Sequence, residues 1–230
     1  MDRSPFAHKE LRIQARSVAA LFLCGCKEPE LISVEKKPRI GVLAIQGDYA
    51  AHAKALEESG AIASEVRNAD ELDSLDGLIL PGGESTTVLK FLESRGLFHS
   101  LQEFCGTKPV FGTCAGAILL AREVRNPPQR SLGLLDAIVE RNAYGRQIDS
   151  SILEAETSLP GGPLEMVFIR APRIVEIGPE VEALAFRDGY PTLVRQGAVM
   201  AATFHPELSS SRRVHQLFVD SVRSAASKTV

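Results

Sequence analysis

The stretch Lys108-Pro-Val-Phe-Gly-Thr-Cys-Ala-Gly-Ala-Ile-Leu-Leu-Ala121, KPVFGTCAGAILLA, decides the fold. Pro109 to Gly112 reads as a short buried strand. From Ala115 the chain reads as a helix start, with no charge before Arg122. Between them Gly112-Thr113-Cys114-Ala115-Gly116 has the Gly-x-Cys-x-Gly spacing of a nucleophile elbow, a sharp strand-to-helix turn that lifts a reactive side chain above a sheet edge. A helix start would also favour a thiolate there. On this segment alone a second reading stands beside it: most free cysteines are small buried hydrophobes.

Working outward, the chain alternates strands and helices. RIGVLAI (39–45) is a continuous apolar run suited to a buried parallel strand. DYAAHAKALEESG follows as a helix with Ala53 and Leu56 inward. IASEVR (62–67) and DGLILPGG (76–83) are further strands, and helices start near Ser85 and Gly96. In the latter, Leu97, Leu101, Phe104 and Cys105 share a face, which makes Cys105 core. This order predicts a doubly wound α/β sheet whose ligands bind beyond the strand C-termini. From Leu132 to Glu207 the runs are strand-like and broken by Gly, Pro and Asp, with a hairpin turn at Asp188-Gly189. A final helix spans SSSRRVHQLFVDSV, with Val214, Leu217, Phe218 and Val222 inward.

Bulk properties exclude several classes. A net charge of −3 without a basic block gives no footprint for nucleic acid or an anionic membrane. No apolar run approaches the ~20 residues that span a bilayer. The 4 cysteines, at 24, 26, 105 and 114, form no disulfide or zinc framework, so a reducing cytoplasm fits. Residues 1–37 differ from the rest: a disordered extension, or a start set upstream of the native one. The alternative is a secretory leader with lipid attachment at Cys26. The folded domain is expected over 38–230.

A cysteine nucleophile needs a base and a group to orient it. Of the 5 histidines, His8 lies in the extension and His52, His99 and His215 fall in helical segments with nothing distinctive around them. His205 follows the apolar strand AVMAATF and precedes Pro206 and Glu207. At a strand's C-terminal end it faces the ligand side, and Glu207 is placed to hold one ring nitrogen. An isolated His-Pro-Glu is more often a satisfied strand end. In LILPGGEST, Gly82 and Gly83 free backbone N–H groups to face an oxyanion. A tight turn with Ser85 as helix cap explains the same residues.

Taken together, GTCAG and FHPE resemble the class I glutamine amidotransferases, a flavodoxin-like α/β fold with a mostly parallel sheet flanked by helices and extra strands in the second half. More narrowly, LPGGEST, FGTCAG, VERNAYGRQIDS and VFIRAP resemble the glutaminase subunits of pyridoxal 5′-phosphate synthases, from about Arg39 to Val222. Tyr49-Ala50-Ala51 departs from the charged residue usual there. The resemblance implies that Cys114 attacks the amide of L-glutamine to give a thioester and ammonia. It implies that His205, oriented by Glu207, protonates the leaving ammonia and then activates water. It places Gly83, Glu84, Ser85, Arg141, Ile169 and Arg170 at the glutamine site, with Gly82 and Gly83 as oxyanion loop and hinge. A guanidinium suits the α-carboxylate; internal ion pairs for Arg141 and Arg170 are the alternative.

The resemblance further implies no metal and no bound cofactor. The implied partner is a synthase (β/α)₈ barrel that consumes ammonia with ribose 5-phosphate and glyceraldehyde 3-phosphate, in an assembly of twelve synthase and twelve glutaminase subunits. The glutaminase would stay weak until the partner reorganises Gly82-Gly83. Three other readings remain: a stand-alone cysteine amidohydrolase, a non-catalytic interaction module, and a glutaminase serving another pathway.

Overall fold

The computed structural model describes residues 36–141, 143 and 151–227. His8, Cys24, Cys26 and the expected extension to residue 35 lie outside the described residues, as does most of the NAYGRQIDS segment.

The elements run β1 (Arg39–Leu43), α1 (Tyr49–Glu58), β2 (Ile62–Val66), β3 (Gly77–Leu80), α2 (Ser85–Ser94), α3 (Leu97–Thr107), β4 (Val110–Thr113), α4 (Ala115–Leu120), β5 (Ala121–Arg125) and β6 (Leu135–Glu140). They continue as β7 (Ser151–Ala155), β8 (Leu164–Phe168), β9 (Arg173–Ile177), β10 (Glu182–Arg187), β11 (Tyr190–Gln196), β12 (Val199–Ala202) and α5 (Arg213–Ser227). The central sheet has the order β10-β11-β12-β4-β3-β1-β2. It is parallel from β12 to β2 and antiparallel at β10 and β11. Two small sheets, β5-β6-β9 and β7-β8, make up the second-half strands.

Because successive strand residues point to opposite faces, each buried strand feeds two cores. Ile40, Val42, Ile79 and Phe111 pack on one side with α1 and α5 residues such as Leu56 and Phe218. Leu43, Leu78, Leu80 and Val110 pack on the other with residues of α2, α3 and α4. The expected helix faces are corrected in detail. In α1 the buried residues are His52, Ala55 and Leu56, with Ala53 only half-buried. In α5 they are Val214, His215, Phe218, Val219 and Val222, with Leu217 half-buried. Both helices therefore bury a histidine. The hairpin turn falls where expected, with φ 51° at Asp188 and 79° at Gly189 joining β10 to β11.

The two glycines flanking Cys114 do a packing job. A Cβ on Gly116 would lie 1.9 Å from the Leu80 carbonyl oxygen, and one on Gly112 would lie 2.5 Å from the Gly116 carbonyl carbon. Small residues here let α4 rest backbone-to-backbone on β3 and β4. Cys105 is core, as expected: it is 4% exposed, and burial pushes its thiol up to about 12. Among the described residues, no helix is long and apolar enough to cross a membrane.

Candidate active site

Strands β4 and β12 are parallel neighbours, with Thr113 paired to Ala202. Cys114 follows β4 and His205 lies three residues beyond β12, so both leave the sheet at the same C-terminal edge. Cys114 has φ 50° and ψ −104°, a strained conformation for a residue with a Cβ. It is held by its N–H donating to Ala202 O at 2.8 Å and by Ile118 N–H donating to its carbonyl at 3.3 Å. This is the elbow that the spacing predicts.

His205 donates an N–H to Val167 O at 2.8 Å through its backbone, which ties the end of β8 to the site. Its ring Nδ1 is 2.7 Å from Glu207 Oε1, leaving the other nitrogen for Cys114. Pro206 opens a 3-10 turn, Pro206–Leu208, that folds Glu207 back beneath the ring. Burial works against an imidazolium here. The hydrogen bonds and charges of Cys114 and Glu207 outweigh it and push His205 up to about 10.

A cleft of about 580 Å³ opens over this pair, and Gly83, Glu84, Ser85, Cys114, Arg141, Ile169, Arg170 and His205 all line it. Glu207 lies behind His205 with a fully buried side chain. Gly82 stands directly against the pair: a Cβ there would lie 2.5 Å from His205 Cε1 and 3.4 Å from Cys114 Cβ. Gly83 has φ 128°, open to glycine but not to a side chain, and Gln46 Oε1 accepts the following Glu84 N–H at 3.1 Å. The carbonyl of Ile169 is 4.0 Å from the Cys114 sulfur. Arg170 is exposed at φ 44°.

Two details revise the sequence reading. Ser85 is the first residue of α2, and the cap is Glu84, whose carboxylate accepts Thr86 N–H at 3.1 Å and Thr87 N–H at 2.7 Å. Partial burial opposes its charge, but these bonds and those from the threonine hydroxyls hold the carboxyl at about 2. Arg141, expected to be a carboxylate reader or an ion-pair partner, is both at the cleft and paired: its Nη2 is 3.0 Å from Glu84 Oε1 and 2.8 Å from Thr86 Oγ1. Ser85 instead donates to Gln129 Oε1 at 2.9 Å.

Sequence reasoning missed the residues beneath the site. His52 Nε2 is 3.1 Å from Thr113 Oγ1 and 3.2 Å from Glu207 Oε2, and its Nδ1 is 3.0 Å from His215 Nε2. The signal was a polar residue on the apolar face of each of two helices. Gln46, Asp48, Ile118 and Leu208 also line the cleft. Among the described residues, no group of acidic, histidine and cysteine side chains has the arrangement of a metal site.

The relatives speak with one voice about class. Residues 42–224 match the model of the SNO glutamine amidotransferase family. A protein of Koribacter versatilis named pyridoxal 5′-phosphate synthase subunit PdxT is 59% identical over 189 residues, 82% of this chain and 98% of that one. Its namesake in Thermotoga neapolitana is 48% identical over 187 residues, 80% of this chain and 100% of its own. A crystal structure described as a glutamine amidotransferase is 45% identical with a TM-score of 0.74, covering 80% of this chain and 98% of its own. A putative GMP synthase component from Thermoplasma acidophilum, 18% identical with a TM-score of 0.62 over 84% of this chain and 96% of its own, shares the fold. With the family model running from within β1 to within α5 and taking in the elbow, the chain belongs to the SNO glutamine amidotransferase family.

Proposed function

We propose that this chain hydrolyses L-glutamine to L-glutamate and ammonia, and that it delivers the ammonia to a pyridoxal 5′-phosphate synthase barrel. The observation that carries the reading is the strained Cys114 beside His205 and Glu207 at the ends of two adjacent parallel strands. The Cys114 sulfur, its proton taken by His205, attacks the side-chain carbonyl carbon of glutamine, and the carbonyl π electrons move to oxygen. Backbone N–H groups of the Gly82-Gly83 loop and the elbow stabilise that oxyanion. His205, which holds a proton at neutral pH, gives it to the departing nitrogen as the C–N bond breaks. A thioester remains. Water then adds, His205 takes its proton, the C–S bond breaks and glutamate leaves.

Arg141 and Arg170 bind the glutamine α-carboxylate. The contact to Glu84 occupies one nitrogen of Arg141 and leaves other N–H donors for the ligand. Gly83, Glu84, Ser85 and Ile169 shape the pocket. The unit that does this is 38–230, in keeping with a compact unit from Lys37 onward. It works in the cytoplasm, docked on its synthase in a complex of twelve subunits of each kind, and the docking reorganises Gly82-Gly83 to switch the site on.

The test is ammonia release from L-glutamine by the purified chain, with and without a synthase barrel, alongside Cys114→Ala. Low release that rises with the barrel and vanishes in the variant supports the whole reading. Release indifferent to the barrel points to a stand-alone amidohydrolase or another pathway. No release under any condition would sink the glutaminase reading.

A further inference from the structure

Glu207 has two oxygens, and only Oε1 holds His205. Its Oε2 is buried and has no well-aligned hydrogen-bond donor among the described residues. The nearest polar hydrogen source is His52 Nε2 at 3.2 Å, which also lies 3.1 Å from Thr113 Oγ1. Glu207 Oε2 and Thr113 Oγ1 are thus both in reach of His52 Nε2, and His52 is 0% exposed. A carboxylate with one oxygen unrestrained can swivel, and its partner imidazole swivels with it.

The protonation pattern follows from the neighbours. His52 faces His215 from α5, His205 and Glu207 from the 3-10 turn, and Thr113 from β4; Arg212 and Glu58 act on His215 behind it. Burial, with His215 and His205 adding to it, pushes His52 well below its usual value, so the ring is neutral. A neutral ring carries one proton. Placed on Nδ1, it would leave a lone pair on Nε2 facing the carboxylate, and would also leave His215 Nδ1–H as an orphan donor. Placed on Nε2, it is shared by Thr113 and Glu207, and Nδ1 accepts from His215 Nε2–H at 3.0 Å. His215 Nδ1 is then a bare acceptor, and that atom is indeed buried without a partner among the described residues. Orphan acceptors are tolerated better than orphan donors.

We propose that His52, backed by His215, is a positioning residue of the glutaminase site: a neutral imidazole whose Nε2–H fixes the second oxygen of Glu207, and through it the orientation of His205. The proposal rests on the glutaminase reading. It adds a relay in which α5, α1 and the 3-10 turn converge under Cys114, immediately below Thr113.

The test uses the full chain with its synthase barrel, comparing parent, His52→Leu and His52→Gln. Glutamine places an amide N–H near the position of the imidazole Nε2–H; leucine does not. Expected for His52→Leu is a kcat lower by about tenfold, a part of what general acid–base catalysis supplies, with KM for glutamine unchanged. A Glu207 carboxylate free to swivel supports the His205 proton less, so the alkaline limb of the kcat profile moves to lower pH. His52→Gln should restore most of both. A purely structural His52 would lower thermal stability in both variants and leave the pH profile of the folded fraction where it was. If His52→Leu does not fold, nitrogen-15 NMR of the parent imidazoles reads the tautomers directly. Neutral rings protonated on Nε2 at His52 and His215 are expected. An Nδ1–H tautomer or an imidazolium at His52 overturns the proposal, as does His52→Leu with parental kcat and profile. A parent that releases no ammonia in the same assay fails the glutaminase reading instead, so the two failures are distinct.

Discussion

Replacing Gly116 by alanine sets two effects of opposite sign against each other. Gly116 lies inside α4, where alanine is intrinsically better than glycine by about 1 kcal/mol. The new Cβ, however, would sit 1.9 Å from the Leu80 carbonyl oxygen and 2.8 Å from the carbonyl carbon. An ordinary carbon–oxygen contact is about 3.3 Å, so α4 must lift from β3 by more than an ångström. Overpacking of this kind costs roughly 1–3 kcal/mol or more, and here the obstacle is backbone, which has no rotamer to escape into. With the cost therefore at the upper end of that range, the net is a destabilisation of about 2 kcal/mol, or roughly 4–8 °C in Tm at about 2–4 °C per kcal/mol for a domain of this size. Activity should suffer more. Cys114 joins β4 to α4, and a misplacement of about 1 Å at reacting atoms can lower turnover on the order of a hundredfold. Thermal unfolding and barrel-stimulated ammonia release read the two effects separately. Gly106→Ala is the control: it lies in α3 with nothing within 4 Å of its Cβ, and should be neutral or stabilising. A Gly116→Ala protein as stable and active as the parent would refute the packing argument.

Other predictions concern strain, charge and pH. Cys114→Ala and Cys114→Gly should both abolish turnover, but the glycine form should be the more stable by about 1 kcal/mol, because only it relaxes at φ 50°; equal Tm values would argue against strain. Burial, with Arg212 adding and Glu58 opposing, pushes His215 from 6.5 down to about 4. The unfolded chain then binds a proton that the folded one refuses, so stability present above pH 6.5 falls as pH drops toward about 4. At about 1.4 kcal/mol per pH unit this is on the order of 3 kcal/mol, and chemical denaturation of His215→Leu over that range should lack it. His205 works in the other direction. Raised to about 10, it contributes stability that is complete below pH 6.5 and is lost as pH climbs through about 10, and Glu207→Gln should flatten that alkaline decline. Glu84→Ala removes the cap of α2, which costs about 1 kcal/mol. It also removes the stability that Glu84 loses between about pH 4.5 and about pH 2, measurable by acid titration of Tm.

The architecture was legible because each of its parts leaves a local mark. Continuous apolar runs such as RIGVL and GLIL can only be strands buried on both faces, and Asp188-Gly189 supplies the positive φ values that a tight hairpin demands. Cys114 and His205 were legible because each follows a buried apolar run, and Glu207 because it follows Pro206. What escaped were relations between distant residues. Nothing local says that His52 and His215, 163 residues apart, meet at 3.0 Å, since each looks like an ordinary polar residue in a helix. Nothing in GGEST says that Glu84, besides capping α2 through the nearby Thr86 and Thr87 N–H groups, would also hold Arg141; that second contact depends on where β6 ends. Nor does the Gly-x-Cys-x-Gly spacing say that a Cβ on Gly112 would meet the Gly116 backbone, or one on Gly116 the Leu80 backbone.

The pairing of β12 with β4 fixes more than the sheet. Thr113 opposite Ala202 is the last rung before both strands release their side chains into the cleft. A slip of one residue in β12 would carry His205 about 3.3 Å along the strand and turn it to the opposite face, so a deletion of one residue between Val199 and Phe204 should be as damaging as loss of the histidine itself. The excursion from Ala121 to Ala198, which leaves one of these strands and returns to the other, is under no such arithmetic. Apart from Arg141 at the end of β6 and Val167 to Arg170 at the end of β8, which must return to the cleft, its small sheets can lengthen or shorten while the spacing of nucleophile and base is kept by the pairing of β12 with β4. The fold thereby separates what must be counted residue by residue from what is free to diverge.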